Sequence, residues 1–81
     1  MREQVRWFAG EMEDKLKKND FKGGWDGCEV IYLIERIKSE TQELIEAMII
    51  KENEKNIIEE CADIANFAMM IADKSRSDAE E

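Results

Sequence analysis

The chain has 81 residues, of which 20 are acidic and 12 are basic, so its net charge is −8. A chain this short forms one domain, residues 1–81, and is only marginally stable alone. The acidic balance argues against a nucleic-acid partner, because a protein that binds nucleic acid needs basic residues to neutralise phosphates. Proline is absent and glycine occurs 4 times, which favours a few long helices.

The content of histidine and cysteine limits the chemistry further. Histidine is absent, and the two cysteines are Cys28 and Cys61. The lack of histidine excludes Ser-His and Cys-His nucleophilic centres and Glu-x-x-His di-iron bundles, and it argues against zinc. We find neither a signal peptide nor an apolar run of membrane-spanning length. We therefore expect a cytoplasmic protein with reduced thiols and no membrane partner.

A first helix is predicted over residues 3–18. Its apolar residues recur at helical spacing, with charged residues between them, and are Val5, Phe8, Met12 and Leu16. The following segment, N-D-F-K-G-G-W, is predicted to interrupt the helical structure. Gly23 and Gly24 are expected to end the helix, because glycine accepts a positive φ.

Two further helices are predicted after this break. The second should start near Gly27, where Asp26 and Glu29 resemble a capping box, and should end within residues 50–53. Its apolar stripe comprises Val30, Leu33, Ile34, Ile37, Leu44 and Met48. The third should run from Ile57 to about Asp73 with Asn56 as its cap, followed by a tail that frays from about residue 75.

These elements predict an all-α fold with three helices per chain. The last two helices are joined by a short turn, so they should pack antiparallel as a helical hairpin. Too much apolar surface would then stay uncovered for a stable monomer. We therefore expect the hairpin to be completed into a four-helix-type bundle by oligomerisation, as a homodimer or a homotetramer.

The most informative stretch is C-A-D-I-A-N-F-A-M-M-I-A, residues 61–72, in which only Asp63 and Asn66 are polar. A helix that is apolar nearly all round is buried on nearly all sides. Asp63 and Asn66 should therefore lie in or beside the protein interior. A buried carboxylate is costly unless it is paired or binds a metal.

Four acidic residues are expected to meet across the hairpin. Glu60 lies one helical turn before Asp63, and the second helix carries a similar pair, Glu40 and Glu43. The midpoint between the pairs falls close to residue 52, within the predicted turn. The two pairs should therefore lie side by side at the same height along the antiparallel helices. Four carboxylates without histidine or thiolate suit Mg²⁺, Mn²⁺ or Ca²⁺. Since Mg²⁺ often shares its ligand positions with phosphates, the cluster points to phosphate chemistry; solvated surface charge is the alternative.

The stretches S-E-T-Q-E-L-I-E-A and E-E-C-A-D-I-A-N-F resemble the MazG-like all-α nucleoside triphosphate pyrophosphohydrolases, which carry E-E-x-x-E on one helix and E-x-x-D on the next. K-G-G-W, at residues 22–25, resembles short phage-like members. The resemblance covers about residues 15–73. It implies that Glu40, Glu43, Glu60 and Asp63 are catalytic ligands of Mg²⁺, with Mn²⁺ as a possible substitute. The first acid of the motif is replaced by Ser39.

The reaction that this resemblance implies is cleavage between the α- and β-phosphates of a (deoxy)nucleoside triphosphate, giving monophosphate and pyrophosphate. Divalent metal would neutralise the triphosphate, and a free carboxylate would accept a proton from water. Which of the four acids does so stays open. Oligomeric family members further imply a homodimer or homotetramer.

Three residues are candidates for substrate binding, each with a structural alternative. Trp25 would stack on a nucleobase or serve as a core or interface aromatic. Lys22 would reach a phosphate or stay solvated. Asn66 would hydrogen-bond the base or sugar, or be a buried amide satisfied within the fold.

Two other functions fit the same sequence. One is a non-catalytic helical oligomerisation or interaction module, favoured by the small size, the extensive apolar surface and Ser39. The other is a protein that binds divalent ions without catalysis.

Overall fold

A computed structural model describes residues 1–51 and 53–80, except for the side chains of residues 21 and 77–80. Its three α-helices are α1 (Glu3–Lys18), α2 (Val30–Ile49) and α3 (Glu54–Glu80). No strand occurs in the described residues, so the predicted all-α class with three helices is confirmed. None of the described helices combines the length and apolar character that crossing a membrane requires.

The first helix has the predicted bounds, but the glycine pair does not end it. Asn19 follows the last helical residue, and its side-chain Nδ2 donates to the Lys15 carbonyl at 3.1 Å. A single 3₁₀ turn, Asp20–Lys22, comes next, and only then does Gly23 adopt a φ of 86°. The positive φ that favours glycine is therefore used after the 3₁₀ turn.

The second helix starts later than predicted. Val30 is its first residue, the extended residue Glu29 precedes it, and no side chain caps this end by a hydrogen bond. The predicted capping box of Asp26 and Glu29 is therefore wrong. The chain instead forms a turn here, in which the Cys28 N–H donates to the Trp25 carbonyl at 3.0 Å.

The third helix is longer than predicted at both ends. It begins at Glu54 because Asn53, rather than Asn56, is the cap: the Asn53 Oδ1 accepts the Asn56 backbone N–H at 3.0 Å. The helix also continues past Asp73 to Glu80; fraying from residue 75 stays a prediction. Residue 52, the predicted midpoint of the hairpin, lies outside the described residues.

The third helix is central to the packing. It forms the predicted antiparallel hairpin with α2 and also packs against α1, whereas α1 and α2 make no close backbone approach within the described part of the chain. Few described side chains are consequently buried. The apolar ones are Leu33, Ala47 and Ala62, and the polar ones are Glu40 and Asn66. Two members of this small core are therefore polar.

Leu33 is the largest fully buried side chain, with 1% of its surface exposed. We predict that Leu33→Ala lowers the free energy of unfolding by about 2–5 kcal/mol, a large part of the stability of a small domain. Urea unfolding followed by circular dichroism measures this loss. Gln42→Ala, at an exposed position of the same helix, should change the stability little; equal losses in both variants would contradict the assigned core.

Candidate functional site

Three of the four predicted acids meet across the hairpin. Glu40 of α2 and Glu60 and Asp63 of α3 each place one carboxylate oxygen within 4.8 Å of the other two. The fourth acid, Glu43, is exposed and outside this triad. It is nevertheless close enough for its charge to raise the pKa of both Glu40 and Glu60. The predicted register thus brings three acids together and places Glu43 beside them.

Burial makes this cluster electrostatically unfavourable without a cation. Only 5% of the surface of Glu40 is exposed. Burial, followed by a hydrogen bond with Glu60 and the charges of Glu43 and Asp63, raises the pKa of Glu40 to about 8. Burial also raises the pKa of Glu60. Both shifts have the sign expected when desolvation and like charges disfavour ionisation.

Two basic side chains, which the sequence analysis did not identify, lie against the cluster. Lys15 of α1 places its Nζ 3.3 Å from Oδ2 of Asp63. Arg36 of α2 places its Nη2 2.8 Å from Oε1 of Glu40, and its guanidinium lies 5.4 Å from the centre of the Phe67 ring. These ion pairs offset part of the acidic charge.

The triad offers the carboxylate oxygens that a hard divalent cation prefers as ligands. Oxygens around an octahedral Mg²⁺ lie about 3.0 Å apart when adjacent and about 4.2 Å apart when opposite. The triad oxygens lie within 4.8 Å of one another, so small side-chain rotations would bring them to these distances. In addition, Oε2 of Glu60 is buried and has no hydrogen-bond partner among the described residues. A buried carboxylate oxygen without a donor is costly, and a cation would satisfy it.

A cleft of about 640 Å³ adjoins the cluster. It lies between α1, the loop after α1, α2 and α3. Its lining includes two cluster acids, Glu40 and Asp63, and all three predicted substrate-binding residues, Lys22, Trp25 and Asn66. The fold therefore brings the K-G-G-W segment and Asn66 to the same cleft as the acids.

Asn66 has the structural role considered for it and keeps one unsatisfied acceptor. Its side chain is buried, and Nδ2 donates to the Met12 carbonyl at 3.0 Å, which ties α3 to α1. This bond is the structural role of a buried amide. The other end of the amide, Oδ1, is buried without a hydrogen-bond partner. Asn66 thus retains an acceptor for a donor that the described residues do not supply.

Trp25 is half-buried and holds the loop against α3. Its indole Nε1 donates to Oδ2 of Asp73 at 3.1 Å, and the Lys74 Nζ donates to the Asp26 carbonyl at 3.1 Å. The Trp25 N–H, with Arg76 as the second cause, lowers the pKa of Asp73. The indole that lines the cleft is therefore positioned by its own hydrogen bond.

Ser39, which replaces the first acid of the motif, is exposed. It precedes Glu40 by one residue and so lies about 100° away round the helix. An acid at this position would point away from the triad of the same chain. The serine therefore leaves the three clustered ligands intact.

Comparisons of this chain with protein-family models, curated proteins and solved structures found no match. The resemblance to MazG-like enzymes therefore stays a prediction from the motif residues.

The raised pKa of Glu40 predicts a pH dependence of stability. Between pH 4.5 and about 8, the folded protein holds a proton on Glu40 that the unfolded chain releases. The free energy of unfolding should therefore fall as pH rises through this window. Urea unfolding in EDTA across the window measures this fall, which Glu40→Gln should weaken.

Glu46→Gln is the matched control, because Glu46 is exposed on the same helix and this variant should keep the wild-type pH dependence. A wild-type stability that stays level or rises through the window would contradict the assignment.

Proposed function

We propose that this chain is a Mg²⁺-dependent pyrophosphohydrolase that converts (deoxy)nucleoside triphosphates to monophosphate and pyrophosphate. The observation that carries the proposal is the triad of Glu40, Glu60 and Asp63, which combines a buried carboxylate with a cleft lined by basic and aromatic side chains. Phosphoryl transfer depends mainly on positioning and charge neutralisation; the cleft would supply the first, and a cation held by the triad would supply the second.

The roles of the acids follow from their burial. Glu40, Glu60 and Asp63 would hold the cation, which supplies positive charge to the phosphates and makes water a better nucleophile. Glu43 is exposed beside the triad, so it is available to accept the proton of the attacking water. Mn²⁺ has a similar preference for oxygen ligands and is expected to replace Mg²⁺.

The cleft suits a nucleotide in size and in lining. Small-molecule sites typically have about 300–1,000 Å³ and combine apolar walls with a few polar groups, and the volume here is about 640 Å³. Trp25 would stack on the base, and the unsatisfied Oδ1 of Asn66 would accept a hydrogen bond from the base or sugar. Lys22, which also lines the cleft, would contact a phosphate.

We also infer that the working form is a homo-oligomer that completes a helical bundle. On α2, large apolar side chains are exposed at helical spacing, namely Val30, Ile34, Ile45 and Met48. Val5 and Trp7 of α1 are also about half exposed. An exposed apolar stripe of this kind is typical of an interface. A second copy of the chain is the simplest partner.

A non-catalytic assembly module is the second candidate, and the exposed stripe on α2 favours it. Such a module would assemble equally well in EDTA and would bind no nucleotide. A protein that binds divalent ions without catalysis would bind Mg²⁺ with the same affinity in the presence and in the absence of nucleotide. Isothermal titration with Mg²⁺, with and without a nonhydrolysable triphosphate, separates these functions from the enzyme.

The enzymatic proposal is tested by ³¹P NMR of the protein with a panel of dNTPs and NTPs in Mg²⁺. We expect monophosphate and pyrophosphate, and no turnover in EDTA. Glu43→Gln should reduce turnover at least 100-fold, as expected for loss of a general base, while helicity is unchanged. Glu46→Gln, one turn further along the same helix, should retain activity.

Full activity in Glu43→Gln would refute the role assigned to that residue. Absence of turnover for all canonical and modified nucleotides tested would refute the proposed reaction.

The oligomer is tested by sedimentation at micromolar concentration. We expect a mass well above that of the 9.5 kDa chain. Ile45→Lys should weaken association because it places a charge in the exposed apolar stripe. Ser39→Lys should not, because exposed Ser39 lies about 120° round the helix from Ile45 and on the opposite side from Met48. A folded wild-type monomer would contradict the proposal.

A further inference from the structure

Lys15 is the one residue of α1 that forms an ion pair with the acidic triad among the described residues. Its Nζ lies 3.3 Å from Oδ2 of Asp63, and the two side chains are only 20% and 23% exposed. Because the triad itself belongs to α2 and α3, Lys15 approaches from a third helix. It also lines the cleft of about 640 Å³. Its ammonium group thus lies where the cluster meets the cleft.

Arg36 lies on the same cluster but is held differently. It pairs with Glu40 one turn along its own helix, and its guanidinium lies over the Phe67 ring. Two contacts therefore fix the position of Arg36. Lys15 has Asp63 as its only ion-pair partner in the described residues, and its long unbranched side chain can re-aim the ammonium group with little change elsewhere.

The charges indicate when Lys15 would move. A divalent cation held by the triad would favour the ionised forms of Glu40 and Glu60. Lys15 and Arg36 would then balance two of the four negative charges of the acids, and the cation would balance the other two. When Asp63 turns to a cation, Lys15 loses its partner. A triphosphate that enters the cleft adds negative oxygens beside Lys15, and phosphate oxygens are good acceptors for an ammonium group.

We propose that Lys15 is a triphosphate-binding residue that pairs with Asp63 in the free protein and transfers to a phosphate oxygen when nucleotide binds. This inference rests on the proposed function, since it takes the ligand of the cleft to be a nucleoside triphosphate. Independent support for a ligand in this cleft comes from Asn66, a residue of its lining whose buried Oδ1 has no hydrogen-bond partner among the described residues. Lys15 would contact the phosphates nearest the acids, where bond cleavage occurs.

The inference predicts opposite effects of one substitution on two ligands. In Lys15→Gln, Mn²⁺ alone should bind as tightly as in the wild type or more tightly, because an ammonium no longer competes for Asp63. The same variant should bind α,β-methylene dNTPs in Mg²⁺ about tenfold more weakly or worse, as expected for loss of a charged hydrogen bond. Lys15→Arg should restore part of the affinity.

Lys18→Gln is the matched control. Lys18 lies on the same helix and also forms an interhelical ion pair, with Glu59 at 3.4 Å, but it does not line this cleft. This variant should bind both ligands as the wild type does. Circular dichroism of the variants verifies that helicity is equal.

The outcomes separate this inference from the proposed function. Wild-type nucleotide affinity in Lys15→Gln would overturn the inference while hydrolysis by the wild type still stands. Loss of Mn²⁺ affinity in that variant would indicate a merely structural role and also overturn it. Nucleotide binding that depends on Lys15, in a wild-type protein that hydrolyses none of the triphosphates, would support the inference and refute the reaction. A wild type that binds no nucleotide would overturn both.

Discussion

The burial of the Glu40 carboxylate in a very small core is the constraint on which this structure depends. A buried carboxylate beside two others is unfavourable unless it is protonated, paired or bound to a cation. The hairpin leaves little freedom to avoid this arrangement, because the short turn fixes the level at which α2 meets α3. The same packing that buries Leu33 and Ala62 therefore also brings Glu40 against Glu60 and Asp63. The acidic cluster is thus part of the core that stabilises the fold.

Much of this site follows from helical periodicity. Asp63 and Asn66 are the two polar residues of an otherwise apolar stretch, and that pattern predicted that they lie at or beside the interior. Within a hairpin, sequence distance from the turn determines which residues lie level, so the approach of Glu40 to Glu60 and Asp63 was predictable as well. The exposure of Glu43 was not, because it depends on the rotation of α2 about its axis.

The two basic contacts differ in how far the sequence could predict them. Arg36 is one turn from Glu40 on the same helix, so helical spacing alone could have predicted this ion pair. Lys15 lies on a helix whose docking angle no short turn determines, and only the packed structure brings it to Asp63.

The ends of the helices were also difficult to predict from the sequence. Asn53 and Asn56 both suit a cap, and the backbone conformation decides between them; Asp26 and Glu29 matched a capping pattern in a segment that forms a turn instead.

The acidic triad and the exposed apolar stripe use different sides of α2. At about 100° per residue, Ile45 and Met48 lie about 140° and 80° round the helix from Glu40. Glu40 is buried against α3, whereas Ile45 and Met48 are exposed. A second copy that packs on the apolar stripe would therefore stabilise α2 through its exposed side. It would not have to cover the cleft between α2, α3 and the loop that carries Trp25. Association would then reinforce the helix that supplies Glu40 and Glu43 while the cleft stays open to a small ligand.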